Sequence, residues 1–92
     1  MMSATLFVRH TVADYDAWRK VYDDAGAAVR AKHGCTAETV MRVPGDANDV
    51  AVIHEFSSVA QAEAFASDPD LKAGMDQAGV TSPPRVEIFE NA

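Results

Sequence analysis

Hydrophobic and polar residues alternate in the first part of the chain and then change to a helical spacing. From Ala4 to His10 every second residue points to the same side, and β-branched and aromatic residues predominate, which predicts a β-strand. After Thr11, apolar residues recur at intervals of three and four until about Lys32, which predicts an amphipathic helix of about five turns. The apolar stripe of this helix comprises Tyr15, Trp18, Val21, Tyr22, Ala25 and Val29.

Residues with known preferences for helix ends flank this helical segment. Asp14 or Thr11 can accept hydrogen bonds from the first free amides, and Asp16 suits the positive end of the helix dipole. Gly34 can adopt the left-handed conformation that commonly ends a helix. The opposite side of the helix is expected to be solvated and to carry Arg19, Lys20, Asp23, Asp24 and Arg30.

Two further alternating segments predict a β-hairpin. The first covers 36–43 and the second 50–56. Between them, residues 44–49 read Pro-Gly-Asp-Ala-Asn-Asp, a composition that indicates a turn.

A second helix is predicted after the hairpin. The serine pair at 57–58 can cap it, and Gln61 completes a capping-box pattern. An Asp-Pro pair at 68–69 interrupts or restarts the helix, which then continues to Gly79. The last strand is expected over 85–90.

The predicted order of elements is therefore β-α-β-β-α-β, the ferredoxin-like or split βαβ arrangement. In this α+β fold two helices cover one face of a four-stranded antiparallel sheet. Residues 1–92 are expected to form a single domain, because this length is near the lower limit for one stable core.

The opposite face of the sheet is predicted to mix apolar and charged side chains. Such a face is too apolar to remain in water, and a small chain gains stability by burying it against a second copy. The sequence therefore predicts a homodimer with the two sheets face to face. The residues expected on this face are Phe7, Met41, Val43, Ile53 and Phe89, with Arg9, Glu55 and Glu87 among them.

Charge and composition exclude several classes of partner. Fourteen acidic residues outnumber eight basic ones, which gives a net charge of −6, and the basic residues do not cluster. We therefore expect no binding to nucleic acid or to an anionic membrane surface. No apolar run approaches the ~20 residues that span a bilayer, and no signal-peptide pattern opens the sequence, so a cytoplasmic protein is expected.

The usual motifs for cofactors, metals and covalent catalysis are absent from the sequence. It has no glycine-rich phosphate loop and no dinucleotide fingerprint. The three histidines and the one cysteine, Cys35, fall on separate predicted elements, so neither a zinc site nor a disulfide is expected. No serine or cysteine nucleophile lies beside a base. We expect the protein to use no cofactor.

Several segments resemble the dimeric α+β barrel proteins, which include domains similar to antibiotic biosynthesis monooxygenases. The strand end Val8-Arg9-His10 leads into Asp14-Tyr15-Asp16-Ala17-Trp18, and a His54-Glu55-Phe56 strand precedes an alanine-rich helix. The resemblance implies a small-molecule pocket between the sheet and the helices of each protomer. In related monooxygenases it also implies an asparagine and a tryptophan that hold a substrate anion. Here the only asparagines are Asn48, in the predicted turn, and Asn91, near the terminus.

The strand register can be estimated by aligning the centres of the first and third strands. His10 then lies opposite Val50, and His54 lies opposite Leu6. Both imidazoles point to the same face, but about four residues at ~3.3 Å each separate them by ~13 Å. This distance is too long for one metal ion or one catalytic pair.

His10 is the candidate catalytic residue, because it ends the first strand beside the start of the first helix. A histidine with an ordinary pKa of ~6.5 can act as a general base near neutral pH, or it can simply hydrogen-bond the adjacent loop. His54 is expected to be structural or at the opposite rim. The residues expected to line a cavity around His10 are Tyr15, Trp18, Tyr22, Val50, Val52, Phe65 and Met75.

Two functions remain open at this point. The first is a cofactor-independent oxygenase, isomerase or cyclase that acts on an aromatic or polyketide-like substrate with His10 as the base. The second is a non-catalytic dimer that binds a small apolar ligand or serves as an interaction module.

Overall fold

A four-stranded antiparallel sheet forms the centre of the molecule. The computed structural model describes residues 2–92. The strands are β1 (Ala4–Thr11), β2 (Ala37–Val43), β3 (Asp46–Phe56) and β4 (Arg85–Glu90), and they lie side by side in the order β2-β3-β1-β4. The helices are α1 (Tyr15–Lys32), α2 (Val59–Ala66) and α3 (Pro69–Gln77). The predicted ferredoxin-like α+β class is confirmed, and the second helix restarts at the Asp-Pro pair to give α2 and α3.

The ends of α1 follow the sequence signals. The Asp14 side chain accepts hydrogen bonds from the amides of Asp16 and Ala17 and so caps the first turn. Gly34 has a φ of +74°, the left-handed conformation that follows many helices. None of the helices within residues 2–92 is both long and apolar enough to cross a membrane.

Asp68 fixes the start of α3 against the end of α1. Its carboxylate accepts the amide of Asp70 at 2.8 Å and lies 2.6 Å from Nε2 of His33 and 2.8 Å from Nζ of Lys32. These hydrogen bonds, above all those of Lys32 and His33, lower the pKa of the Asp68 carboxyl. The contacts tie α3 to α1, and these two helices enclose the site described below.

The hairpin turn is shorter than its composition indicates, which corrects the prediction for residues 44–49. Only Pro44 and Gly45 form the turn, with Gly45 at a φ of +83°, and β3 begins already at Asp46. The polar residues after the turn are strand residues with specific contacts. Asn48, for example, accepts the amide of Tyr15 at 3.0 Å and so anchors the first turn of α1.

The predicted register of β1 against β3 is confirmed. His10 pairs with Val50, and Leu6 pairs with His54. The four side chains therefore share one face of the sheet, the face that packs against the helices. On this face two clusters of buried residues form the core. One comprises Ala4, Leu6, Val8, Phe56, Ala62 and Phe65, and the other comprises Val12, Trp18, Val50, Val52 and Ala78.

The opposite face of the sheet carries the predicted mixture of apolar and charged side chains. Phe89 is 53% exposed and Met41 is 37% exposed. Arg9 forms its ion pair with Asp49 at 2.9 Å, whereas Glu55 accepts a hydrogen bond from a threonine of β1. Arg9 and Glu55 therefore share this face but have different partners.

Candidate functional site

A cavity of about 80 Å³ lies between the sheet and the helices α1 and α3. Its floor is the sheet pair Val8 and Val52. The apolar lining also includes Val21, Ala25, Val29, Leu71 and Ala78. The cavity therefore lies where the two core clusters meet, and it is mainly apolar with a few polar groups, as small-molecule sites usually are.

One imidazole stands at each end of this floor. His10 follows Val8 by two residues on β1, and His54 follows Val52 by two residues on the antiparallel β3. The two histidines therefore flank the valine pair on opposite sides, about 13 Å apart along the strands at ~3.3 Å per residue. Both line the cavity.

Both histidines are buried and uncharged near neutral pH. His10 is 5% exposed and His54 is 4% exposed. Burial lowers the pKa of His10 and, with a contribution from the positive charge of Arg30, lowers that of His54 to about 4. Within residues 2–92, Nδ1 of each ring is buried without a hydrogen-bond partner. A buried polar atom without a partner is uncommon and costly, so both atoms are candidates for ligand contacts.

A row of aromatic rings connects the two ends. His10 meets the edge of Trp18 with ring centroids 5.8 Å apart, and Trp18 stacks on Tyr22 at 4.9 Å. Tyr22 stacks in turn on His54 at 6.0 Å, and His54 contacts Phe65 at 5.1 Å. These rings present a rigid surface with large apolar area, which suits a flat, apolar ligand.

The His54 end is fixed by polar contacts from two neighbouring elements. The Tyr22 hydroxyl lies 2.9 Å from Nε2 of His54 and donates to the Glu38 carboxylate at 3.1 Å. Arg30 forms an ion pair with Glu38, and its guanidinium lies 4.0 Å from the centroid of the Tyr22 ring. Burial raises the pKa of Tyr22, so the phenol stays protonated. Arg30 itself is buried. The prediction that it lies on the solvated side of α1 is therefore wrong.

The α3 wall of the cavity lacks a side chain at one position. Gly74 lines the cavity, and a β-carbon built there would meet no atom within 4 Å. Gly74 therefore leaves open space between Leu71 and Met75. A side chain at this position would therefore begin in open space, since its β-carbon meets no neighbouring atom of residues 2–92.

Most of the residues predicted to surround His10 do line the cavity. These are Trp18, Tyr22, Val52, Phe65 and Met75.

Two of the predicted lining residues do not reach the cavity. Val50 is fully buried in the core cluster that contains Trp18, directly opposite His10 in the sheet. Tyr15 packs on the outer side of Trp18, and the guanidinium of Arg42 covers its ring at 4.3 Å. Neither residue is therefore part of the cavity lining.

The role of His54 as a second cavity residue was missed. The strand alternation did place it on the same face as His10, which was the available signal. Its distance from His10 predicts a structural role or a place at the opposite rim, whereas the cavity extends along the floor to both rings. Neither Asn48 nor Asn91 lines the cavity, and no cluster of three or more potential metal ligands occurs in the described part of the chain.

Comparison with known proteins yields structural matches only. No protein-family model matches this sequence, and no curated protein matches it. The structure resembles SnoaB from Streptomyces nogalater, a cofactor-independent oxygenase, with a TM-score of 0.79, 18% identity, and coverage of 100% of this chain and 95% of SnoaB. The chain has the fold of the antibiotic biosynthesis monooxygenases.

Two other solved structures support the same assignment of the fold. A putative antibiotic biosynthesis monooxygenase from Bordetella bronchiseptica matches with a TM-score of 0.80 and 11% identity, over 100% of this chain and 99% of that chain. A protein of unknown function from Nitrosomonas europaea matches with a TM-score of 0.74 and 24% identity, over 99% and 90% of the two chains. The resemblance noted in the sequence is therefore confirmed for the fold.

Proposed function

We propose that this protein binds a small aromatic or apolar molecule in the cavity and that His10 acts on it as a general base. The observation that carries this proposal is a pair of buried, neutral imidazoles at the ends of an apolar floor, each with an Nδ1 that has no partner in the part of the chain that the structure describes. Ordinary core packing does not require two such rings, because a buried polar atom without a partner costs free energy. A ligand with hydrogen-bond donors would remove that cost.

The state of His10 suits proton abstraction from an acidic substrate. Because burial lowers its pKa, the His10 imidazole is uncharged near neutral pH, and its acceptor nitrogen can take up a proton. The same burial makes it a weak base, so the substrate must carry an acidic O–H or C–H, as hydroxyaromatic compounds and 1,3-dicarbonyl compounds do. The anion formed beside the imidazolium would be stabilised by their mutual attraction in a site of low polarity.

Three reaction classes follow from that proton transfer. Reaction of the substrate anion with dioxygen, in which one oxygen atom enters the product and the other leaves as water, would give oxygenation without a cofactor. Reprotonation of the anion at another atom would give isomerisation. Attack of the anion on a carbonyl carbon of the same molecule, followed by protonation of the resulting alkoxide, would give cyclisation. The likeness of fold to SnoaB supports the oxygenation branch. Covalent catalysis through a serine, threonine, cysteine or lysine is not supported, because none of these residues lines the cavity in the described part of the chain.

The functional unit in this proposal is a homodimer. Phe89 and Met41 are exposed on the face of the sheet that the helices do not cover. Burying these side chains against a second copy would remove apolar surface from water at about 25 cal/mol per Å². The cavity lies on the other face of the sheet and would remain accessible in such a dimer.

Turnover of a panel of hydroxyaromatic compounds tests the enzymatic proposal. Oxygen consumption and product formation would be followed for the wild type, for His10→Gln and for Gly74→Leu, which fills the cavity. Loss of a general base lowers kcat by about 100-fold or more, so His10→Gln should be nearly inactive. Glu63→Gln, on the exposed side of α2 and away from both the cavity and the proposed dimer face, is the matched control and should retain activity.

The alternative function is non-catalytic binding. The predominantly apolar lining and the small volume of the cavity favour it, because both suit capture of a small ligand. In that case compounds from the panel would bind to the wild type but not to Gly74→Leu, and neither protein would convert them. Turnover that His10→Gln leaves unchanged would contradict the role of His10.

A further inference from the structure

Three polar groups form a short chain from the cavity to the surface. Nε2 of His54 lies 2.9 Å from the Tyr22 hydroxyl, which lies 3.1 Å from Oε2 of Glu38. Glu38 and His54 are paired neighbours on β2 and β3, and Tyr22 reaches both from α1. The protonation of one group therefore constrains that of the next.

The number of available protons decides the direction of these hydrogen bonds. The ionised Glu38 carboxylate can only accept, so its bond with Tyr22 requires the phenol to donate. A phenol has a single proton, so Tyr22 can then only accept from His54. Both contacts are hydrogen bonds only if Nε2 of His54 carries the proton, and in a neutral ring Nδ1 is then an unprotonated acceptor.

Arg30 holds the Glu38 carboxylate in the position that this arrangement requires. It forms an ion pair with the carboxylate, donates from Nη1 to the backbone oxygen of Tyr22 at 2.9 Å, and stacks on the Tyr22 ring. Gly26 makes room for it, since a β-carbon there would lie 2.8 Å from Nη1 of Arg30. The ion pair therefore holds the Glu38 carboxylate in place as an acceptor for the Tyr22 hydroxyl.

We propose that His54 is a specificity-determining residue of the cavity, and that Glu38, acting through Tyr22, fixes its Nδ1 as a hydrogen-bond acceptor. This proposal rests on the proposed function for the presence of a ligand. It adds the class of ligand that the His54 end selects, which is an aromatic molecule that presents an O–H or N–H donor. An analogue without a donor would leave Nδ1 unpaired, and such a loss discriminates strongly in a buried site.

Two further observations agree with this assignment. Nδ1 of His54 is buried and has no partner among residues 2–92. His54 also remains neutral near pH 7, because burial and the charge of Arg30 lower its pKa to about 4. A neutral ring with a fixed proton on Nε2 keeps the same acceptor available throughout the physiological range of pH.

The tautomer of His54 can be measured directly by long-range ¹H–¹⁵N NMR correlation near neutral pH. We expect Nε2 to be protonated and Nδ1 unprotonated in the wild type. In Glu38→Gln the amide oxygen should turn to Arg30 and its NH₂ group to Tyr22, so Tyr22 would donate to His54 and the proton would move to Nδ1. Glu63→Gln, on the exposed side of α2, makes the same chemical change away from this hydrogen-bond chain and should leave the tautomer unchanged. The assignment of the His54 tautomer would be overturned if the wild-type ring carried its proton on Nδ1, or if the tautomer were the same in Glu38→Gln as in the wild type.

Phenol and toluene test the selectivity, because they differ chiefly by a hydroxyl in place of a methyl. The titrations use the His10→Ala variant, so that any remaining preference for the hydroxyl reports on His54. We expect phenol to bind about tenfold more tightly than toluene and to shift the Nδ1 resonance of His54. The additional change Glu38→Gln should abolish both effects.

The outcomes separate this inference from the proposed function. If phenol binds beside His10 in the wild type and does not affect His54, the inference fails while the proposed function stands. If neither compound enters the cavity, the proposed function fails, and with it the selectivity assigned to His54, whatever the tautomer proves to be.

Discussion

His10 and His54 lie on adjacent strands, four positions out of register, at opposite ends of one apolar floor. Each is almost completely buried, and each has a pKa below the ordinary histidine value because of that burial. The cavity is thus bounded at each end by a neutral imidazole and along one side by the rings of Trp18 and Tyr22. This arrangement leads to predictions for stability, assembly and binding.

Stability should depend on pH through His54. The unfolded chain binds a proton at this residue near pH 6.5, whereas the folded protein binds it only near pH 4. Between these values the unfolded state binds more protons, so stability should rise with pH and be lost as the pH falls, by up to about 3 kcal/mol for this residue. Urea unfolding from pH 4 to 7 measures the slope.

The matched variant for this measurement is His54→Gln, which cannot titrate in the same range. It should be less stable at pH 7 but show a shallower dependence on pH, with the remaining slope due to His10, whose pKa is also lowered. An equal slope in the variant and the wild type would contradict the assignment of the shift to His54.

Gly74→Ala should stabilise the protein. Gly74 lies inside α3 with an ordinary helical φ, and its added β-carbon would meet nothing within 4 Å. Alanine loses less conformational freedom than glycine in a helix, so the free energy of unfolding should rise by about 0.5–1 kcal/mol. Thermal or urea denaturation measures it, and a destabilised variant would mean that this part of α3 is not helical.

Gly45→Ala should have the opposite effect. A β-carbon at this position also has open space, but φ is +83°, a conformation that alanine adopts at a cost of about 1 kcal/mol. The same denaturation experiment should therefore give a less stable protein. A neutral result would indicate that the turn is wider than Pro44 and Gly45.

Phe89→Lys should weaken the proposed dimer. Phe89 points away from the helices and is 53% exposed, so a charge there would have to be buried between the two sheets. The dissociation constant of the dimer should rise by about tenfold or more, as measured by sedimentation equilibrium. The control is Val86→Lys, which lies on the same strand but on the other face and is 43% exposed. Equal effects of both substitutions would contradict a dimer through this face.

Local patterns in the sequence were sufficient to predict the elements and their order. The alternation in β1, the stripe in α1 and the caps Asp14 and Ser58 each depend on neighbours within a few residues. The turn was misjudged because Asp46 and Asn48 have the composition of a loop. Their polar groups are instead used in the strand, where Asn48 holds the start of α1.

The site was predicted only in part, because its polar end depends on contacts between distant segments. The position of Trp18 beside His10 follows from the strand leading directly into the helix. The chain from His54 through Tyr22 to Glu38 joins three elements, and it requires Arg30 to be buried on α1 against the helical pattern. The sign of such a partner in the sequence was Glu38, a charged residue on the helix-facing side of β2.

The central claim is that the space between the two histidines receives a small aromatic ligand. Trp18 is the only tryptophan of the chain and lines this space, so its single indole N–H resonance reports on occupancy. On titration with phenol, this resonance should shift and saturate in the wild type and remain unchanged in Gly74→Leu. An indole resonance that phenol does not move in the wild type, or that moves equally in Gly74→Leu, would contradict the account.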